Sequence, residues 1–393
     1  MKILVWATSF GADLWSLTRH LAARQQAGED LDVRVVAPDA DAWRREGVAQ
    51  LYPLGIPVVD RRSWHHLFGL PGFRPDITVL DNRVPLRATS KKGFVLWHGF
   101  GWKGPNDREE FKHLHARLRT AFGDPLSPNP DFRWSCFGPF DFEHRTKVSG
   151  FAPENCRMVG AASHDDLRRP LDKALAQPFY PFDIRHRRTV LIAPTWHYGE
   201  LFAHWGRDAD LIERLLTHLD RRGVNVVLRM HDRFRFERRY LDFLDDLARR
   251  HPGLLLKFKD RHPDNFLDLQ VADVLISNYS SIANLYYATL RPTIHVYPVR
   301  DADEEFLWRT HTVLGQRTRT VANARFVWKL PPEDHGGLQV RDFAALIAGI
   351  DRALDEPGCC HAAARAFLDR HMLGADGRNC ERILQELRAL AAA

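Results

Sequence analysis

The sequence has no apolar run approaching the roughly 20 residues that a membrane span requires, so any membrane contact is expected to be peripheral. Cysteine is scarce: five among 393 residues, at Cys136, Cys156, Cys359, Cys360 and Cys380. The number is odd, no C-x-x-C spacing occurs, and the adjacent Cys359 and Cys360 suit neither a zinc site nor an ordinary disulfide. A reduced, cytoplasmic protein is the expectation. The amino terminus, MKILVWATSF, carries one lysine and too short an apolar run for a signal peptide. Neither G-x-x-x-x-G-K-[ST] nor H-E-x-x-H is present, which removes a P-loop and a zincin-type metal centre. His113 and His115 lie two apart on a helical pattern and point away from each other, and no metal site is expected. Internal repeats and low-complexity tracts are also missing.

What remains is ordinary globular material, 45% hydrophobic and 27% charged, enough for sizeable cores. The length suggests two or three domains. A net charge of +6 favours acidic partners such as nucleotides and anionic polymers. The basic residues are dispersed and no nucleic-acid-binding module occurs, so nucleic acid is not expected as a partner.

Apolar runs read as strands at residues 2–7, 33–37, 77–80 and 94–97, with helical periodicity at 12–27 and 106–121. From Asp172 to Arg188 the pattern breaks at Pro178, Pro181 and a basic cluster. Regular winding then resumes, with strands at 189–193, 224–230, 254–258, 273–277 and 293–297 and helices at 208–221, 237–250 and 282–290. From about His361 the chain is helical and is expected to pack back across the domains. The alternation predicts an α/β protein with two Rossmann-like domains, residues 1–183 and 184–393, facing a cleft.

Open parallel sheets bind ligands beyond the carboxyl ends of their strands. Those ends carry His98-Gly99, Pro194-Thr195-Trp196-His197, His231-Asp232 and Asn278-Tyr279-Ser280-Ser281. The last enters a helix start, whose free N–H groups and partial positive charge attract phosphate. The bland alternative is that Ser280 or Ser281 is a helix cap. His98 sits among glycines and suits general acid–base work, although 20 histidines make any single one unremarkable. Lys103 is a candidate phosphate contact or a solvated loop lysine. His231 would meet a phosphate oxygen or rest beneath a loop, with Asp232 orienting it or capping the next helix. GFGWKG (99–104) matches G-x-G-x-x-G, but Pro105 follows where a dinucleotide site needs a helix.

Taken together, WHGFGWKG (97–104), GAASHDDL (160–167), APTW (193–196), LRMH (228–231), ADVLISNYSS (272–281), RPTIHVY (291–297) and DGRNCERI (376–383) occur in one order. They resemble the CDP-glycerol glycerophosphotransferase family of teichoic-acid and capsule synthesis over residues 94–384. The resemblance implies a GT-B fold. It also implies transfer of a polyol phosphate from a CDP-activated donor to a hydroxyl of a glycan or lipid-linked acceptor, releasing CMP. Glycerol phosphate is the expected group, and no cofactor is implied. His98 matches the family's general base, His231 its phosphate-stabilising histidine, Ser280 and Ser281 its donor-phosphate serines, and Thr195 its donor-side loop. Peripheral contact at the inner face of the membrane is compatible with such an acceptor. There are three departures from the family pattern: Asn278 stands for aspartate, Asp232 for proline, and the pair Ala162-Ser163 for Pro-Arg. A nucleotide-sugar glycosyltransferase is the second reading, and an inactive scaffold of a capsule-assembly complex is the third.

Overall fold

In the computed structural model the described residues are all except 62–69, 71, 82, 86–87, 98–100, 103–107, 196–201, 203–204, 298–305, 313–314 and 325–327. The first sheet contains β1 (Lys2–Trp6), β2 (Asp32–Ala37), β3 (Val58–Asp60), β4 (Ile77–Leu80), β5 (Lys92–Val95), β6 (Phe132–Cys136) and β7 (Cys156–Met158). Their order is β3-β2-β1-β4-β5-β6-β7, and every pairing is parallel. The second sheet contains β8 (Thr189–Ile192), β9 (Asn225–Met230), β10 (Leu254–Phe258), β11 (Val274–Ser277) and β12 (Thr293–Val296). Between β12 and the last strand lies an antiparallel hairpin, β13 (Phe306–Thr312) with β14 (Gly315–Ala324). β15 (Leu338–Val340) then completes the order β10-β9-β8-β11-β12-β15, again all parallel.

Both sheets therefore have the 3-2-1-4-5-6 order of a doubly wound fold, with the order reversing between β1 and β4 and between β8 and β11. The central strands are buried throughout, as at Ile77–Leu80, Thr189–Ile192 and Val274–Ser277, because helices cover both faces. One apolar cluster runs from Val5, Val35 and Phe94 of the first lobe to Leu191, Leu275 and Tyr279 of the second. The lobes thus share a core as well as facing one another. The break at 172–188 is a packed connector: Tyr180, Phe182 and Ile184 are buried, and Lys173 Nζ lies 2.9 Å from the Asp273 carboxylate.

The expected strand 94–97 is instead β5, two residues earlier, and the described part of the helix expected at 106–121 is a 3-10 turn at Arg108–Phe111 leading into Lys112–Phe122. The final helix, Asn379–Ala392, packs on Ala12–Gln26 and Ala162–Leu167 of the first lobe. The Asp165 carboxylate accepts from Asn379 N and Cys380 N at 3.0 and 2.8 Å, satisfying N–H groups at its start. Lys92 Nζ donates to the carbonyls of Leu390 and Ala391 at its other end, at 2.7 and 3.0 Å. GAASHDDL and DGRNCERI meet each other here, so part of the motif set is a mechanical clasp. No helix among the described residues is long and apolar enough to cross a membrane.

A buried ionic cluster lies where the lobes meet. Asp268 accepts from Lys257 Nζ at 2.7 Å, Tyr180 Oη at 2.7 Å and Arg229 Nη1 at 3.2 Å. Burial opposes its charge, but Lys257 and Arg229 hold the carboxyl below its usual range. Glu46 of the first lobe has no such cage. Burial, with Asp264 beside it, pushes its carboxyl up to about 7, against opposition from Lys257 and Arg229, while His262 Nδ1 stands 3.8 Å away. A raised carboxyl keeps its proton in the fold after the unfolded chain has lost it, so its contribution to stability falls as pH rises from about 4.5 to about 7. Glu46→Gln is therefore expected to raise the urea midpoint at pH 8, by the equivalent of about 1–2 kcal/mol, and to lose that advantage toward pH 4.5. A pH-independent difference would contradict the assignment.

Candidate functional site

The loops after β8 and β11 are stitched together at the point where strand order reverses. Asn278, 1% exposed, accepts from Thr195 N at 2.6 Å, and Ser277 Oγ donates to the Ala193 carbonyl at 2.9 Å. The first sheet repeats the device: the Asp81 carboxylate beyond β4 accepts from Thr8 N and Ser9 N, both at 2.8 Å, beyond β1. The departure from aspartate at 278 thus keeps the acceptor oxygen that ties the loop and removes only the charge. Asn278→Ala would leave a half-buried N–H without its acceptor, at a cost of about 1–3 kcal/mol. Thermal unfolding is expected to register that loss, with Asn278→Asp retaining the tie; equal stability of the two variants would contradict it.

Tyr279 takes a left-handed backbone, φ 59°, which is unfavourable for a side chain of its size. Its ring holds it there: it is 1% exposed and lies 4.6 Å from His295, 4.9 Å from Trp328 and 5.4 Å from Trp102. Its hydroxyl donates to the Pro332 carbonyl at 3.0 Å and accepts from Gln339 Nε2. With the ring fixed inward, the chain turns sharply and presents Ser280 and Ser281, both half-buried, before the helix Ile282–Tyr286. Ser281 occupies the cap position but makes no side-chain cap bond, and neither serine hydroxyl has a hydrogen-bond partner among the described residues. The cap alternative is therefore not what these hydroxyls do.

Ile192 pairs with Leu228 on one side and Ile276 on the other. His231, Thr195 and Tyr279 follow the carboxyl ends of these three adjacent strands, β9, β8 and β11. His231 Nδ1 lies 2.7 Å from Asp232 Oδ2 and 2.9 Å from Asp232 N. Asp232 precedes the 3-10 turn Arg233–Arg235 without capping it through its side chain.

His98 and Lys103 lie outside the described residues. The described neighbours of that segment are anchored in different lobes. Trp97 packs 5.1 Å from Trp134 in the first, whereas the Trp102 carbonyl accepts from Lys329 N at 2.9 Å and its ring lies 5.3 Å from Phe367. Trp97 thus stands just beyond β5 and Trp102 against Tyr279.

Ser163, where the family has arginine, is buried and faces inward. Its N and Oγ both donate to Asp13 Oδ1, at 2.8 and 2.7 Å, and burial pushes the Asp13 carboxyl up to about 6. His164 on the same helix donates from Nε2 to the Asn284 carbonyl at 2.9 Å, and burial pushes its imidazole down to about 4, so the ring is neutral. This first-lobe helix braces the helix that follows Ser281. No sequence signal assigned a role to Tyr279, Asp13 or His164; Asp232 was visible by adjacency to His231 and as a departure from the family pattern. A surface cavity of about 580 Å³ lined by Thr89, Ser90, Asn129 and Asp131 lies at the amino ends of β5 and β6, the edge away from the one such sheets use.

No family model matches this chain. It is 24% identical over 347 residues to the teichoic acid ribitol-phosphate polymerase TarK of Staphylococcus aureus, covering 84% of this chain and 60% of TarK. It is 23% identical to TarL of the same organism, a second teichoic acid ribitol-phosphate polymerase, covering 55% of it. The chain thus spans little more than half the length of these relatives. Among solved structures it superposes on the wall teichoic acid polymerase TagF with a TM-score of 0.66 at 14% identity, covering all of this chain and 89% of that one. It also superposes on the UDP-GlcNAc 2-epimerase of Neisseria meningitidis, with a TM-score of 0.56 at 12% identity, covering 99% of this chain and 100% of that one. The fold is GT-B, and the comparisons agree with the resemblance read from the motifs: the two curated relatives are both teichoic acid ribitol-phosphate polymerases.

Proposed function

We propose that the protein transfers a polyol phosphate from a CDP-linked donor to a hydroxyl of a cell-surface glycan or lipid-linked acceptor, releasing CMP. The observation that carries this reading is the unengaged Ser280-Ser281 pair beyond the reversal-point strand, on the sheet edge that also carries Thr195 and His231. Hydroxyl and backbone donors there offer a diphosphate hydrogen bonds without displacing any internal partner. In the reaction, His98 takes the proton of the acceptor hydroxyl. The oxygen attacks the phosphorus bearing the polyol, and the bond from that phosphorus to the bridging oxygen breaks, leaving on CMP. Ser280, Ser281 and Thr195 form the donor side, with Asn278 acting from within by holding the Thr195 loop rather than touching the donor, Lys103 adds positive charge, and His231 stabilises charge on the phosphates. Phosphoryl transfer is governed chiefly by such positioning and charge stabilisation.

Ribitol phosphate stands beside glycerol phosphate as the transferred group, because TarK and TarL are named for it. The test is to incubate the purified chain with CDP-glycerol, CDP-ribitol and a UDP-sugar and to identify the nucleotide released. CMP from one CDP-polyol is expected. UDP released from the sugar donor would replace this reading with a glycosyltransferase, and no donor turnover with any acceptor would leave the scaffold.

A further inference from the structure

We infer that His164 is a positioning residue that holds the donor-side serines from the opposite lobe, an inference that rests on the proposed transfer site. The imidazole is fully buried, and its Nε2 lies 2.9 Å from the Asn284 carbonyl across the junction of the lobes. A carbonyl only accepts, so Nε2 carries the proton and, in the neutral ring, Nδ1 is bare. Nδ1 has no hydrogen-bond partner among the described residues. Leaving a buried nitrogen unpaired costs free energy that an aliphatic side chain of similar size would avoid. What the imidazole adds is direction, through one bond of defined length and angle to residue 284. That residue lies one turn beyond the serines. Its N–H donates to the Ser281 carbonyl at 3.2 Å, as the Ala283 N–H does to the Ser280 carbonyl at 3.0 Å.

The platform that carries His164 is itself tied down. All six residues of Ala162–Leu167 are buried. Three carboxylates fix that helix to its surroundings: Asp13 accepts from Ser163 N and Oγ, Asp165 from Asn379 N and Cys380 N, and Asp166 from Arg19 Nη1 at 3.1 Å. On the other side, the Tyr286 hydroxyl donates to the Ala272 carbonyl at 2.9 Å, and the Tyr287 hydroxyl lies 2.6 Å from His295 Nε2. Those bonds anchor the far end of the serine helix to its own lobe. Asn284 stands between them and the serines, so the bond from His164 sets the near end of the helix relative to the first lobe, whose β5 leads to His98. A site that must hold its ligand to within about 0.5 Å depends on such a supporting shell.

Two variants of one chemistry and different reach test the inference. His164→Gln places an amide N–H near the position of Nε2, whereas the amide of His164→Asn, one methylene shorter, falls short of the carbonyl. Both are titrated calorimetrically with CDP-glycerol and CDP-ribitol at a temperature where circular dichroism shows them folded. His164→Gln is expected to keep the donor Kd within about twofold of wild type, and His164→Asn to raise it about three- to tenfold, the worth of one hydrogen bond. At saturating donor, kcat should change less than Kd. Wild-type donor affinity in folded His164→Asn would overturn the positioning role. Native-state hydrogen exchange reads the tie in the wild type itself, without donor: amides of 283–287 and 163–167 are expected to share one opening free energy. Separate, easier opening of 283–287 would overturn the tie whether or not His164→Asn folds. Binding of neither donor by the wild type would instead remove the transfer site, and the positioning role with it, even with the exchange result as expected.

Discussion

His98→Ala is expected to lower CMP release by about 10²- to 10⁴-fold, the usual contribution of a general base, while leaving unfolding free energy within about 0.5 kcal/mol. The expectation of an intact fold comes from the residues on either side. Trp97 lies 5.1 Å from Trp134 and 5.3 Å from Phe111, and Trp102 lies 5.4 Å from Tyr279 and 5.3 Å from Phe367. Those aromatic anchors are made by neighbours of the histidine and survive its removal. A base acts on the acceptor in the transition state, so kcat should fall much more than donor KM rises. Steady-state kinetics alongside thermal unfolding checks both halves. Near-normal turnover would remove His98 from the chemistry.

Tyr279→Ala is expected to be the most damaging single change to the donor side, costing about 3–5 kcal/mol of stability by analogy with other large buried aromatics. Two losses combine. The ring's contacts with His295, Trp328 and Trp102 disappear, leaving a cavity. The backbone also loses what holds it at φ 59°, a conformation alanine disfavours, so Ser280 and Ser281 relax from their presented position. Tyr279→Gly separates the two effects. Glycine adopts the left-handed conformation freely, so it should retain donor binding better than alanine at a similar cost in packing. Tyr279→Phe removes only the hydroxyl, with its bonds to the Pro332 carbonyl and from Gln339 Nε2, about 1–2 kcal/mol. Urea unfolding and donor titration of the three variants should rank Phe above Gly above Ala for binding. Alanine binding donor as well as phenylalanine would show that the ring does not set the loop.

The winding of the second lobe was legible because its strands are uninterrupted apolar runs, such as VLIS at 274–277, bounded by polar turns. β6 and β7 escaped notice: FRWSC mixes charged, polar and aromatic residues, and CRM is too short for any periodicity. β15 pairs through only three residues, Leu338 to Val340, at the sheet's edge. Strand ends pointed to Thr195, His231 and Asn278 because a doubly wound topology dictates where ligands go. The sequence could not say that Asn278 acts inward, as an acceptor for Thr195 N, or that Ser163 is spent on Asp13. Those pairings join residues 83 and 150 positions apart in the chain. Nothing local encodes them. For the same reason the clasp between Asp165 and Asn379 looked like two separate motifs.

A crystal structure of the protein with a bound CDP-linked polyol tests the central claim most directly. The account predicts the diphosphate at the carboxyl end of β11, its oxygens within hydrogen-bonding distance of Ser280 and Ser281, with His231 facing it from the end of β9. Diphosphate bound instead at the corresponding loop of the first sheet, Thr8 to Gly11, would contradict it.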